Sequence, residues 1–210
     1  MSVAGGTFRG MGIYLVSVSA GDWFGDAEGY DEGGHGALAV ALDAELRQRG
    51  LAPYTSVPEK TDLVRGSGQS FEEKLAPPMD GFGALCREHL SEQESGLLLT
   101  WSVLVPLSLD EALQLPVENA YADETTVAGA PQVLAVAERL AAAIRLPVDV
   151  IPEACDNLDL TMWFLEGAAE EAAAARPGPW AEDLDAAFYV ALYLRAAQHS
   201  LRRGCPITYC

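Results

Sequence analysis

Between Gly21 and Gly36 the chain gathers Asp22, Asp26, Glu28, Asp31, Glu32 and His35 in one glycine-rich stretch, interleaved with Trp23, Phe24 and Tyr30. Carboxylates on a loop are what a hard cation or an acid–base enzyme needs, but their spacing does not match the twelve-residue calcium loop. Aromatics set among acids have a different use. In protein interfaces buried aromatic anchors hold the partner while charge steers its approach. We therefore read Trp23, Phe24, Asp26, Tyr30, Asp31, Glu32 and His35 as partner-binding residues. The competing expectation is a metal-dependent or acid/base enzyme that uses the carboxylates of 22–35, joined by Glu118, Asp123 or Glu124 from a second acidic loop.

Other constellations are weaker. Cys86 and His89 stand three residues apart on a predicted helix and would face one metal, but a structural zinc takes four ligands and a catalytic one three, and no second pair follows. Cys155, Asp156 and His199 supply the residue types of a thiol nucleophile with its base and orienting acid, yet no local spacing joins them. A buried thiol and a structural histidine are the simpler expectation. Cys205 and Cys210 would point to opposite faces of an extended strand with sulfurs more than ~7 Å apart, so free thiols are expected. Lys60 to Lys74, where three bases match three acids, is a local exception to the acidic excess; Arg65-Gly66-Ser67-Gly68 within it could cradle an anion through backbone amides, although a flexible linker explains the composition more simply. Glycine fingerprints for dinucleotides or phosphates, the nucleophile elbow and the zinc helix are all missing, so neither cofactor nor metal is expected.

Charge narrows the partners. Thirty-one acids against 13 bases give a net charge of −18 on 210 residues. Such a field repels nucleic-acid phosphate and anionic lipid and draws basic protein surfaces from a range of about 8–10 Å. The same charge also keeps a protein dissolved with no partner at all. Four cysteines form no dense framework, and the first apolar stretch, 11–20, is shorter than the roughly 20 residues of a membrane span and lacks a basic leader. A soluble, cytoplasmic protein is the expectation.

These residues need elements to hold them. Residues 1–11 read as a flexible tail, with Met11 as a second candidate start, and 12–210 as one globular domain. Gly12 to Ser19 predicts a strand buried on both faces, followed by a helix through Leu38, Leu42 and Leu46 that Gly50 and Pro53 stop. The pattern then fails from Leu51 to Leu75, a length of loop that often carries function. Asp80 predicts a helix cap, Leu97 to Val105 a second strand beside the first, and Asp110 to Gly129 an irregular stretch. Pro131 opens a helix along Val133, Ala137, Leu140 and Ile144 that Pro147 ends. Val148 to Ile151 predicts a short edge strand, Asp159 a helix running through the alanines to Pro177, Glu182 to Arg203 a long core helix, and Cys205 to Cys210 a terminal strand. Strands and helices do not alternate strictly enough for a doubly wound sheet, so the fold class is α+β: a single domain with a small mixed sheet covered by several amphipathic helices. The expected function is an inhibitor or immunity-like domain whose acidic-aromatic loops engage a basic partner.

Overall fold

The chain builds an α+β fold around a six-stranded mixed sheet of order β2-β1-β6-β3-β5-β4. The computed structural model describes residues 12–25, 34–62, 64–119 and 121–210; the N-terminal tail falls outside them. The strands are β1 (Tyr14–Ser17), β2 (Glu72–Lys74), β3 (Val103–Val105), β4 (Leu113–Leu115), β5 (Thr125–Gly129) and β6 (Ile207–Tyr209). β1 and β3 both pair antiparallel with β6, and β3 pairs parallel with β5, so β1, β3 and β5 run one way. β6 therefore lies between β1 and β3, which were expected to be neighbours.

One face of the sheet is thickly covered. Leu15, Leu104 and Ile207 point into a core shared with α3 (Asp80–His89), α5 (Ala130–Ala143), α6 (Asp159–Leu165) and α8 (Leu184–Arg203). α8 packs against α5, α3, α6 and β3, and is buried without a break from Ala186 to Ala197. Its ends suit the macrodipole: the Asp183 carboxylate accepts from the Ala186 amide, Arg202 and Arg203 occupy the last turn, and Gly204 at φ 68° closes it. On the other face Val18, Val103, Val105 and Val127 meet α1 (Ala20–Phe24), α2 (Gly36–Gln48) and Tyr54. α2 stops at Gly50 (φ 73°), the left-handed position that its glycine predicts.

Several expectations are corrected. Only Leu15 of β1 is fully buried, because one face of this strand is left partly open. Leu97–Leu99 end a helix, α4 (Glu92–Leu99), started by a reciprocal capping box in which Ser91 accepts from the Glu94 amide and Glu94 accepts from the Ser91 amide. The stretch after Asp110 holds two strands, β4 and β5. Val148 to Ile151 is a turn rather than a strand, because its carbonyls bond to a buried arginine: Arg195 donates to Val148 and Ile151 through Nη2 and to Pro152 through Nε, at 2.8–2.9 Å. The alanine-rich helix breaks at Gly167 (φ 97°) into α6 and α7 (Ala168–Ala175).

Asp159 does not cap α6 either. Glu73 of β2, fully buried, reaches across and accepts from the Leu160 amide (2.8 Å), the Thr161 amide (2.8 Å) and the Thr161 hydroxyl (2.7 Å). Burial pushes its carboxyl above the usual range, and these donors pull the other way. The same segment covers the outer edge of β2, since the Glu72 amide donates to the Cys155 carbonyl and the Leu158 amide to the Glu72 carbonyl.

Candidate functional site

The opening is on the thinner face of the sheet. Cross-strand register places Val16, Thr208, Val103 and Val127 in one row. α2 and the Tyr54 segment close over the β3-β5-β4 half of that face, while Val16 and Thr208 floor a groove of about 680 Å³. Three strands at ~4.8 Å spacing make this floor roughly 10 Å wide. One wall is the end of the first acidic loop and the start of α2, with Asp22, His35 and Ala37; the other is the second acidic loop, with Glu118, Asn119 and Tyr121.

Local chemistry fixes both walls. Ser19 caps α1, its hydroxyl accepting weakly from the Asp22 amide and donating to the Asp22 carboxylate at 2.7 Å. Two backbone bonds tie the ends of the first acidic loop together: the His35 amide to the Asp22 carbonyl, and the Gly36 amide to the Gly25 carbonyl, both 2.9 Å. The second loop turns on Asn119. Its Oδ1 accepts from the Tyr121 and Ala122 amides, and its Nδ2 donates to the Glu124 carbonyl and the Thr125 hydroxyl. That is an Asx turn, a local bond that competes with regular structure. Tyr121 is 58% exposed at the rim.

Among the predicted residues, Asp22 and His35 face the groove, and Glu118 of the second loop joins them. Asp123 and Glu124 are exposed on that loop beyond the groove. Trp23 is fully buried: it stacks on His35 (5.9 Å, 20° between planes) and meets Tyr54 edge-on at 5.9 Å. It therefore anchors the wall from inside rather than touching a partner. Phe24 is 47% exposed. Asp26, Tyr30, Asp31 and Glu32 lie outside the described residues. Tyr121, Asn119 and the Val16–Thr208 floor were not singled out by sequence reasoning, although Asn119 two residues before Tyr121 is a turn signal.

The remaining constellations resolve into structure. Cys86 is fully buried and His89 exposed, so they do not share a ligand-facing surface. Asp156, buried, accepts from the Gly66 and Gly68 amides (2.9 Å each) and the Ser67 hydroxyl. The Arg65–Gly68 loop thus does cradle an anion, and that anion is a side chain of the same protein. Gly66 and Gly68 sit at φ 76° and 63°, where a side chain is strained. Those bonds hold Asp156 below the usual carboxylate range against the cost of burial, and burial pushes the Cys155 thiol far up, the opposite of an activated nucleophile. His199 packs against Phe71 (5.6 Å), and burial with Arg202 and Arg203 nearby depresses it to about 3. Among the described residues no three His, Cys, Asp or Glu side chains gather closely enough to hold a metal, and no helix is long and apolar enough to cross a membrane. Cys86, Cys155 and Cys205 are buried and unbridged; Cys210 is exposed.

No family model, curated protein or solved structure matches this chain. The functional reading therefore rests on the groove itself.

Proposed function

We propose that this protein is an inhibitor or immunity-like binding domain of the cytoplasm that seats a segment of a basic polypeptide in the groove. One observation carries the reading: segments of two acidic loops far apart in sequence meet as opposite walls of a concave, largely uncharged floor, with Asp22 on one wall and Glu118 on the other both exposed. Exposed carboxylates steer a cationic partner without first being stripped of water, and Tyr121 at the rim is the aromatic type that anchors interfaces. The floor supplies Val16 for apolar contact and the Thr208 hydroxyl for polar contact.

The test starts from partners that copurify at low salt and measures their affinity against ionic strength. Asp22→Asn with Glu118→Gln should slow association several-fold, and Tyr121→Ala should speed dissociation by about tenfold. A partner whose affinity ignores both salt and these substitutions would show that the groove is not its seat. The convergence of Asp22, His35 and Glu118 on one groove also favours a second reading, an acid/base enzyme. That reading predicts turnover of a small substrate, lost in His35→Asn while binding of the basic partner is kept.

A further inference from the structure

A second cavity, of about 320 Å³, adjoins the groove and shares Val16, Ser17, Val18 and Asp22 with it. Lys60 and Arg203 line it, two of only 13 bases in the chain. Arg203 is the last residue of α8 and is half-buried. Its Nε is shielded from solvent with no hydrogen-bond acceptor, and it enters no ion pair among the described residues. Arg195, the other sheltered arginine among the described residues, has its donors satisfied by three backbone carbonyls and the Gln198 side-chain oxygen. A half-buried guanidinium that is in no ion pair attracts an oxyanion more strongly than a fully exposed one, because the local dielectric is lower. Arginine's planar fork matches a carboxylate.

The other charges in the cavity decide what kind of oxyanion fits. Asp22, Glu59 and Glu72 line it as well. Three carboxylates within a field of −18 repel a dianion such as phosphate, yet they suit a ligand that carries its own ammonium group. A cavity of this size is at the small end of ligand sites, which run from roughly 300 to 1,000 Å³. We propose that it binds a small zwitterion of the α-amino acid class. The carboxylate pairs with Arg203 and Lys60, and the ammonium lies toward the acids. This inference is independent of the basic-partner reading of the groove.

The experiment titrates the whole protein with individual free amino acids at up to about 10 mM, following melting temperature and amide chemical shifts, with acetate and inorganic phosphate as controls. At least one amino acid should saturate and raise the melting temperature, while acetate and phosphate should not. Arg203→Gln should weaken that binding by about tenfold, and Arg203→Lys, which keeps the charge without the fork, by less. Lys60→Gln, a change at an exposed residue, should weaken it about threefold and serves if the Arg203 variants do not fold. The proposal is overturned if no amino acid binds, if phosphate binds more tightly than any amino acid, or if the substitutions leave binding unchanged. Loss of the basic partner alone would leave it standing.

Discussion

Removing the Glu73 carboxylate should unfasten α6 from the sheet. In Glu73→Ala the Leu160 and Thr161 amides both lose their acceptor in a buried place, and the Thr161 hydroxyl keeps its two bonds with Lys74, donating to the carbonyl and accepting from the amide, both at 3.1 Å. A stranded buried donor costs about 1–3 kcal/mol, so two of them with a small cavity amount to about 3–5 kcal/mol. Glu73→Gln preserves shape and one acceptor oxygen but turns an amino group toward a donor, for a loss of about 1–2 kcal/mol. The two should be separated by urea unfolding and by hydrogen exchange of the Leu160 and Thr161 amides, which should lose protection first. A pH series adds a sign. Because burial raises the carboxyl in the folded state, its contribution is full below the unfolded value and shrinks as pH rises through the folded one. The advantage of wild type over Glu73→Gln should therefore be largest in mild acid and smaller at neutral pH. A loss under about 1 kcal/mol in Glu73→Ala would refute the cap, and an advantage that grows toward neutral pH would refute the upward shift of the carboxyl by burial.

Three further outcomes are expected. Arg195→Met should cost about 3–5 kcal/mol by thermal or urea unfolding, because the Val148, Ile151 and Pro152 carbonyls lose their donors, and Arg195→Lys should recover only part of it. Asp156→Ala should free the Arg65–Gly68 loop and make it the first site of limited proteolysis, with a loss of about 2 kcal/mol in stability. His199 should show no titration between pH 8 and 5 by NMR, since its folded value is about 3; the stability that this depression gives is full above the unfolded value and declines as pH falls below 6.5 toward 3.

The helices were legible where their signals are local. Leu38, Leu42 and Leu46 with Gly50, or Pro131 ahead of Val133 and Leu140, state a face and an end within one stretch of chain. The sheet was harder to read, because four of its six strands are only three residues long and take their pairing from residues far away. Leu97–Leu99 look like a strand on composition, yet the Ser91 to Glu94 capping box was present in the sequence and identifies a helix start. Leu113-Gln114-Leu115 alternates as an edge strand should, but its acidic surroundings hide it. The candidate groove was half legible: both acidic loops stood out, and even their convergence was conceivable. That Val16, Val103 and Thr208 would floor it depends on β6 entering between β1 and β3, for which no local pattern exists. Trp23 shows the reverse problem, since composition alone does not say whether an aromatic among acids faces a partner or pins the loop to the core.

The position of β6 also orders events in time. β1 and β3 share no partner until Ile207–Tyr209 arrive, so a nascent chain that already carries both can form its helices but not a continuous sheet. During synthesis the edges of β1 and β3 that face β6 stay unpaired, an opportunity for association with other chains. Pairings separated by so much sequence also favour slow closure. A chain that lacks Ile207–Tyr209 has its sheet split in the middle and Leu15 and Leu104 exposed, so such a product should be recognised as misfolded.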